Sequence, residues 1–311
     1  MNNGELDQLV VAISGAGGGI GRAIALDVAT RGAKVVVNDY GTDLSGRKGG
    51  DAGPAERVAE EIRSAGGQAC AVIADVGIEA GAGEVINAAI GQFGRIDGLV
   101  HSACIFPPQG AFEDMLRADF ERVIRVNVHG AWGLTQAAWP HFKAQRHGRV
   151  VLIQSAAGFY GRSGMQAYGM AKSSFIGFTN YLMQEGAPHG ILVNNVSPVG
   201  WSRAPASEGD SLKFMQQMFP AADLGPVVSM LLDPTFDRSG LFLHTGGGMV
   251  TSMFLPETRG VIFPREALTP AAIRARLDDI LDEREYRRPK SVDDVGRQLY
   301  EAVAKRDGIE P

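Results

Sequence analysis

Tyr168 and Lys172 stand four residues apart in the segment VLIQSAAGFYGRSGMQAYGMAKSSFIGFTNYL. Phe175, Ile176, Thr179, Leu182 and Met183 carry an apolar stripe onward at helical spacing. A helix is therefore expected, with the phenol and the ammonium on one face. A phenol has an unperturbed pKa of about 10 and is a poor base at neutral pH, whereas a neighbouring positive charge favours its phenolate. Ser155, thirteen residues before the tyrosine, closes the apolar run Val150-Val151-Leu152-Ile153, which reads as a buried parallel strand. A hydroxyl at the carboxyl end of such a strand faces the crevice where open α/β sheets bind ligands. Together the three groups can bind a carbinol or carbonyl oxygen, Ser155 through a hydrogen bond and Tyr168 by moving the proton. Tyr and Lys at this spacing also occur in helices without chemistry, so the reading depends on the elements around them.

The first of those elements lies near the start of the chain. Leu9-Val10-Val11-Ala12-Ile13 leads directly into Ser14-Gly15-Ala16-Gly17-Gly18-Gly19-Ile20-Gly21, and a helical pattern follows through Ile24, Leu26 and Val28. Glycines allow positive φ and close backbone approach, while the N-terminus of the next helix offers free N–H groups to a pyrophosphate. A second strand, Lys34 to Asn38, ends in Asp39, 18 residues beyond Gly21. A carboxylate there accepts hydrogen bonds from ribose hydroxyls and repels a 2′-phosphate, which favours NAD over NADP. A turn residue at a strand end is the plainer reading of Asp39. Arg47 and Lys48 in the following loop read as solvated charges.

The alternation of strand and helix persists. A helix is expected from Glu56 to Ala65, a strand from Gln68 to Ala74 ending at Asp75-Val76, a helix from Glu84 to Phe93, and a strand over Gly98 to His101. Ser102, Ala103 and Cys104 should then lie along the cofactor. Phe120 to Phe142 reads as one long helix interrupted by Gly130 and Gly133, with Asn127 inside it. An asparagine disfavours a helix interior, so it should hold a water in a proton relay or satisfy a local backbone group. Ile191 to Asn195 forms a sixth strand leading to Pro198-Val199, and Leu241 to His244 a last one. Between them, Ala204 to Ala222 is rich in Met and Phe, as core or as a substrate lid. Two amphipathic helices are expected beyond Pro256, one opened by Thr269-Pro270 and one by a capping box at Ser291 to Asp294. The expected division is residues 1–255 as a dinucleotide-binding domain carrying the catalytic and substrate residues, and 256–311 as a helical extension packing on that domain or on a partner subunit.

Composition narrows the class. The chain has 311 residues, 45% hydrophobic and 21% charged, with a net charge of -5. This is ordinary for a globular enzyme and gives no case for nucleic acid. Its two cysteines, Cys70 and Cys104, make no disulfide framework, and the scattered histidines have no metal-ligand spacing. No run of eighteen apolar residues is present and the first residues are polar, so neither a membrane span nor a leader is expected and a cytoplasmic location is.

The ordered set Gly15-x-x-x-Gly19-x-Gly21, Asp75, Asn127, Ser155, Tyr168-x-x-x-Lys172 and Pro198 resembles the short-chain dehydrogenase/reductase family across roughly residues 9–250. The stretches VVVNDYG, EEIRSAGGQA, FGRIDGLV, AAWPHFK, LTPAAIRARLDDI and RRPKSV are similar to the dehydrogenase domains of peroxisomal multifunctional enzymes, which act on (3R)-hydroxyacyl-CoA and are also described as 17-beta-hydroxysteroid dehydrogenases. That resemblance implies a single Rossmann-type α/β fold, a doubly wound parallel sheet of about seven strands with helices on both faces, and a homodimer or homotetramer. It implies NAD held by Gly15, Gly19, Ile20, Gly21, Asp39, Asp75, Val76, Ser102, Ala103, Tyr168, Lys172, Pro198 and Val199. It implies that Tyr168 is the acid/base, that Lys172 holds the nicotinamide ribose and lowers the tyrosine pKa, that Ser155 orients the substrate oxygen, and that Asn127 holds a relay water.

Two departures accompany the likeness. His101-Ser102-Ala103-Cys104 stands where Asn-Asn-Ala-Gly is usual, and Pro198-Val199 where Pro-Gly is usual. Cys104 puts a side chain where backbone normally approaches the cofactor, and His101 replaces an amide that braces the sheet. The expected activity is reversible NAD-dependent oxidation of a secondary alcohol to a ketone, by a free-standing dehydrogenase without hydratase or carrier domains. Phe159, Tyr160, Met165 and Trp201 suit an apolar ring or acyl chain, and Arg162 and Arg203 are candidates for the pocket mouth if the substrate is CoA-linked. A dinucleotide-binding sensor without turnover, motivated by Cys104 and Val199, is the alternative, and an NADP-dependent reductase is opposed by Asp39.

Overall fold

Short apolar runs bounded by glycine turns become the strands of one sheet in the computed structural model, which describes residues 5–200 and 217–309. The chain divides into two units, Met1–Ser252 and Met253–Pro311. In the first, β1 (Val10–Ser14), β2 (Lys34–Asn38), β3 (Gln68–Val72), β4 (Gly98–His101), β5 (Gly148–Ile153), β6 (Ile191–Pro198), β7 (Phe242–Gly246) and β8 (Met249–Ser252) lie in the order β3-β2-β1-β4-β5-β6-β7-β8. All pairs are parallel except β7 with β8.

Between the strands run α1 (Gly19–Thr30), α2 (Gly53–Ser64), α3 (Glu79–Phe93), α4 (Arg117–Ile124), α5 (Gly130–Gln145), α6 (Ala157–Tyr160), α7 (Gln166–Gly186) and α8 (Gly225–Leu232). Alternate residues of each strand serve opposite faces. Val11 and Ile13 enter one core with Ile24, Val28, Val58 and Leu231, while Val10 and Ala12 enter a second with Val85, Ile86, Leu134 and Phe142. Burial on both faces is why these strands read as unbroken apolar runs in the sequence.

The chain leaves β1 toward β2 and later returns to place β4 on the other side of β1, with Ser14 beside both Asn38 and His101. At such a reversal the loops after the strands diverge and open a crevice. Three expectations need correction. The sheet has eight strands rather than about seven: β8 folds back through Gly247 and Gly248, both at positive φ, the two-residue turn that a twisted hairpin favours. The expected long helix is broken by a π segment, Arg125–His129, and not by its glycines. Gly130 and Gly133 lie inside α5, where a Cβ on Gly130 would come within 3.0 Å of the His101 ring. The helix expected after Thr269 is two short ones.

In the second unit, β9 (Glu257–Thr258) pairs antiparallel with β10 (Tyr286–Arg287), alongside α9 (Pro270–Ala275), α10 (Leu277–Ile280) and α11 (Val292–Asp307). Thr269 Oγ1 accepts from Ala272 N at 3.2 Å and Ser291 Oγ from Asp294 N at 3.1 Å, so both expected caps form. Arg288 stacks over the Phe254 ring, its guanidinium carbon 3.2 Å from the centroid.

Candidate active site

The crevice is a cavity of about 910 Å³ over the carboxyl ends of β1, β2, β4, β5 and β6, at the upper end of the range for small-molecule sites. It is lined by Gly15, Gly19, Ile20, Gly21, Asp39, Asp75, Val76, Ser102, Ala103, Ser155, Tyr168, Lys172, Pro198 and Val199. Of the described residues expected from sequence at the site, Asn127 is set behind the wall, and Phe159, expected to suit an apolar substrate, lies outside the lining with its ring against Tyr160 and Phe242. The lid segment expected over Ala204 to Ala222, with Trp201 and Arg203, falls mainly outside the described residues.

At the β1 end, Gly15 has φ +67°, and a Cβ on it would stand 2.6 Å from the Ala103 backbone. Only glycine lets the turn after β1 pass this close to the segment after β4. Helix α1 begins at Gly19 with Gly18 as its N-cap and no side-chain cap, so its first amides face the crevice without a competing partner from a cap. Asp39 Oδ2 accepts from Gly17 N at 2.9 Å and Oδ1 from Gly41 N at 2.7 Å. The carboxylate thus locks the glycine turn to the start of the next loop and keeps lone pairs for a ribose. Arg47 is exposed, as expected, and is also paired: its Nη2 donates to both carboxylate oxygens of Asp119 at 3.1 Å. These features fit an adenosine dinucleotide, with amides for its phosphates and an anion at the ribose.

Asp75, expected at the cofactor, lines the cavity. Its Oδ1 accepts from Gly77 N at 2.9 Å, and its Oδ2 from Arg125 Nη1 at 2.5 Å. Arg125, which sequence reasoning missed, starts the π segment. The extra residue in that turn aims Arg125 at Asp75 while Asn127 faces the other way. Asn127 Oδ1 accepts from Ile105 N at 3.0 Å, and its Nδ2 donates to Ile105 O at 3.2 Å and to Cys104 Sγ at 3.4 Å. The side chain thus satisfies backbone groups, the second of the two roles expected for it.

The two departures have physical compensations. His101 is fully buried on β4, its Nδ1 2.9 Å from Ser14 Oγ and its Nε2 3.3 Å from Asn127 O. A carbonyl only accepts, so Nε2 carries the proton and Nδ1 accepts from the Ser14 hydroxyl, whose oxygen in turn accepts from Ala103 N. The histidine therefore braces β1 to the π segment. Burial, reinforced by the Lys172 charge, lowers its pKa to about 3, so it stays neutral. Val199 fits because Gly246 lies opposite, where a Cβ would stand 2.7 Å from the Val199 Cβ. Burial raises the Cys104 thiol above its ordinary value, against the lowering effects of Lys172 and Asn127, so it is a thiol and not a thiolate.

Helix α7 brings Tyr168, 8% exposed, and Lys172, 1% exposed, to the same wall. The Lys172 ammonium lies 5.8 Å from the Tyr168 ring centroid and donates to Ile153 O at 2.6 Å, at the end of β5. Burial lowers its pKa. The phenol is raised above its ordinary value, first by burial and then by Cys104, with a hydrogen bond from Ser155 acting in the opposite direction. The resemblance implies that Lys172 brings the phenol down; burial, the largest influence on it, acts in the opposite direction. Gln154, also missed, lies on the pocket wall, accepts from Ser155 N through Oε1 at 2.9 Å and has a buried Nε2 without a partner among the described residues.

The family model described as short chain dehydrogenase matches residues 9–208. This chain belongs to the short-chain dehydrogenase family. It is an oxidoreductase whose family acts on small molecules, with the Rossmann-like fold described above. It is 34% identical over 314 residues to the peroxisomal multifunctional enzyme type 2 of Mus musculus, covering 99% of this chain and 41% of that protein. The structure of full-length peroxisomal multifunctional enzyme type 2 from Drosophila melanogaster superposes with TM-score 0.80 at 27% identity, over 96% of this chain and 50% of the other. A 7 alpha-hydroxysteroid dehydrogenase complexed with NADH and 7-oxo glycochenodeoxycholic acid superposes with TM-score 0.69 at 29% identity, covering 78% of this chain and 94% of that one. The chain spans 33% to 58% of the length of the multifunctional relatives from Neurospora crassa, mouse and Dictyostelium discoideum.

Proposed function

We propose that this short-chain dehydrogenase interconverts a secondary alcohol and a ketone with NAD, on a bulky apolar or CoA-linked substrate of the (3R)-hydroxyacyl-CoA or hydroxysteroid kind. The observation that carries the reading is that Ser155, Tyr168 and Lys172 share one cavity with the glycine turn and Asp39. When bound, the dinucleotide supplies the acceptor for the hydride that leaves the carbinol carbon. Tyr168 takes the hydroxyl proton, Ser155 holds the same oxygen, and Lys172 holds the ribose and favours the phenolate by its charge. Asp39 favours NAD because a 2′-phosphate there would meet a carboxylate, and Arg47 of the following loop is engaged by Asp119.

The substrate end of the cavity supports a bulky apolar group: Phe106, Tyr160 and Met165 line it, with Gln109 and the exposed Arg162 at polar positions. The relatives named above support both substrate kinds, multifunctional peroxisomal enzymes on one side and a hydroxysteroid dehydrogenase on the other. Two titrations and a substrate panel test the reading. NAD should bind at least about ten-fold more tightly than NADP, since each factor of ten is only about 1.4 kcal/mol. A marked preference for NADP would overturn the cofactor assignment. Turnover on (3R)-hydroxyacyl-CoAs but not on hydroxysteroids, or the reverse, selects the substrate class. A cytoplasmic place for the chain belongs to the same proposal and is read by cell fractionation, the multifunctional relatives being named as peroxisomal.

A further inference from the structure

The loop between β2 and α2 meets the segment after β4 at Ile105 and Phe106, beside Tyr168. Leu44 O accepts from Phe106 N at 2.8 Å. The Phe106 ring stacks on the Tyr168 ring, with centroids 4.6 Å apart and planes inclined by 26°. Residues 102–110 form no regular element, so the segment is held by individual bonds: the Asn127 amide grips Ile105 from both sides, and Leu44 grips Phe106. The loop that supplies Leu44 is itself ordered. Asp43 Oδ1 accepts from Ser45 N, Ser45 Oγ and Arg47 N at 3.0, 2.8 and 3.0 Å. Gly46 packs on Ile105, and Arg47 reaches across to Asp119 on α4. Its near end is fixed by Asp39 through Gly41.

One continuous set of contacts therefore runs from the carboxylate at the ribose site, through the loop, to the ring that lies against the phenol. We infer that Phe106 is a positioning residue: held by Leu44, it fixes the plane of the Tyr168 ring and shields it from water, so that a dinucleotide seated at Asp39 and a correctly aimed phenol belong to the same ordered loop. The inference rests on the reading of Tyr168 as the proton-transferring group. Phe106 is half-buried and lines the cavity rather than the core, which distinguishes it from a packing aromatic such as Phe175. Near-attack geometry is sensitive to small displacements. An aliphatic side chain at 106 would leave the phenol free to rotate about its two torsions and open to solvent.

The test compares Phe106→Leu and Phe106→Tyr with the wild-type protein in steady-state kinetics across pH, alongside NAD binding and thermal unfolding. Phe106→Leu should lower kcat by about ten-fold or more, since misplacement of the reacting group is costly. It should also move the acid limb of the kcat profile to lower pH, because solvent reaching the ring relieves the burial that raises the phenol. NAD affinity should stay within about two-fold of wild type, and Phe106→Tyr, which keeps the stacked ring, should retain most of the activity. Wild-type kcat and pH limb in Phe106→Leu would overturn the inference. So would a loss in both variants that tracks lost NAD affinity and lost thermal stability, since that is what a purely structural residue would give. If the wild-type protein turns over no alcohol, the reading of Tyr168 fails by itself. The stacking is then read separately from the ¹³Cζ resonance of Tyr168, assigned by its absence in Tyr168→Phe: a shift in Phe106→Leu supports the contact, and an unmoved resonance refutes it.

Discussion

Tyr168 and Lys172 sit in the same burial penalty and respond to it oppositely, the phenol resisting loss of its proton and the ammonium resisting retention of one. His101 is the third titratable group in this buried set, and its depressed pKa gives a pH prediction. Folded, it protonates only near pH 3, whereas unfolded it protonates near 6.5. Its contribution to stability is thus fully present above the unfolded value and is lost as pH falls from about 6.5 toward 3, where the unfolded chain binds the extra proton. His101→Asn, which keeps a bracing amide but cannot titrate, should flatten that part of the profile. Urea unfolding midpoints at several pH values check it: a variant as acid-sensitive as wild type between pH 6 and 4 would contradict the assignment. At this scale the sequence was informative where spacing alone defines chemistry, as for Tyr168 with Lys172 and for the glycine turn with Asp39. It was silent on Arg125 and Phe106, whose partners Asp75, Leu44 and Tyr168 lie 50 to 62 positions away and are brought close only by the fold, and on Gln154, whose amide caps the neighbouring Ser155 only where the chain turns at the end of β5. It also could not reveal that His101 and Val199 are matched by Ser14 and Gly246.

At the scale of elements, parallel strands buried on both faces announced themselves as apolar runs, and all seven expected strands were found near their places. The eighth was hidden because it is an edge strand with exposed Met249 and Val250, and only the Gly246-Gly247-Gly248 run hinted at a hairpin. The π segment was equally hidden, since an inserted residue leaves the composition of a helix unchanged and is fixed by the Asp75 and Ile105 contacts on its two sides. Helices α5 and α7 also expose an apolar groove lined by Val128, Trp132, Phe175, Phe178 and Tyr181, where the Trp132 and Phe178 rings stack 5.6 Å apart. Large exposed aromatics of this kind mark association surfaces. The homodimer or homotetramer implied by the family resemblance is proposed to form here, with a second copy covering the groove. Trp132→Glu should then reduce the assembly in light scattering while leaving the fold intact by circular dichroism. An unchanged mass, or a monomeric wild type, would contradict it.

For the whole molecule, the crevice at the β1/β4 reversal gathers residues from positions 15 to 200, whereas the second unit has its own short β pair and three helices with exposed apolar positions such as Leu281 and Leu299. The dehydrogenase chemistry proposed above belongs to the first unit, because every side chain proposed to carry it lies there. The most direct measurement is the absorbance of reduced nicotinamide when NAD and a panel of (3R)-hydroxyacyl-CoAs and hydroxysteroids are mixed with wild-type or Tyr168→Phe protein. The account predicts turnover of one substrate class by the wild type. It predicts a fall of at least about 100-fold in Tyr168→Phe, in line with the contribution of a positioned general acid/base, with NAD affinity preserved. Turnover by Tyr168→Phe at the wild-type rate would contradict the assignment of the phenol as the proton-transferring group.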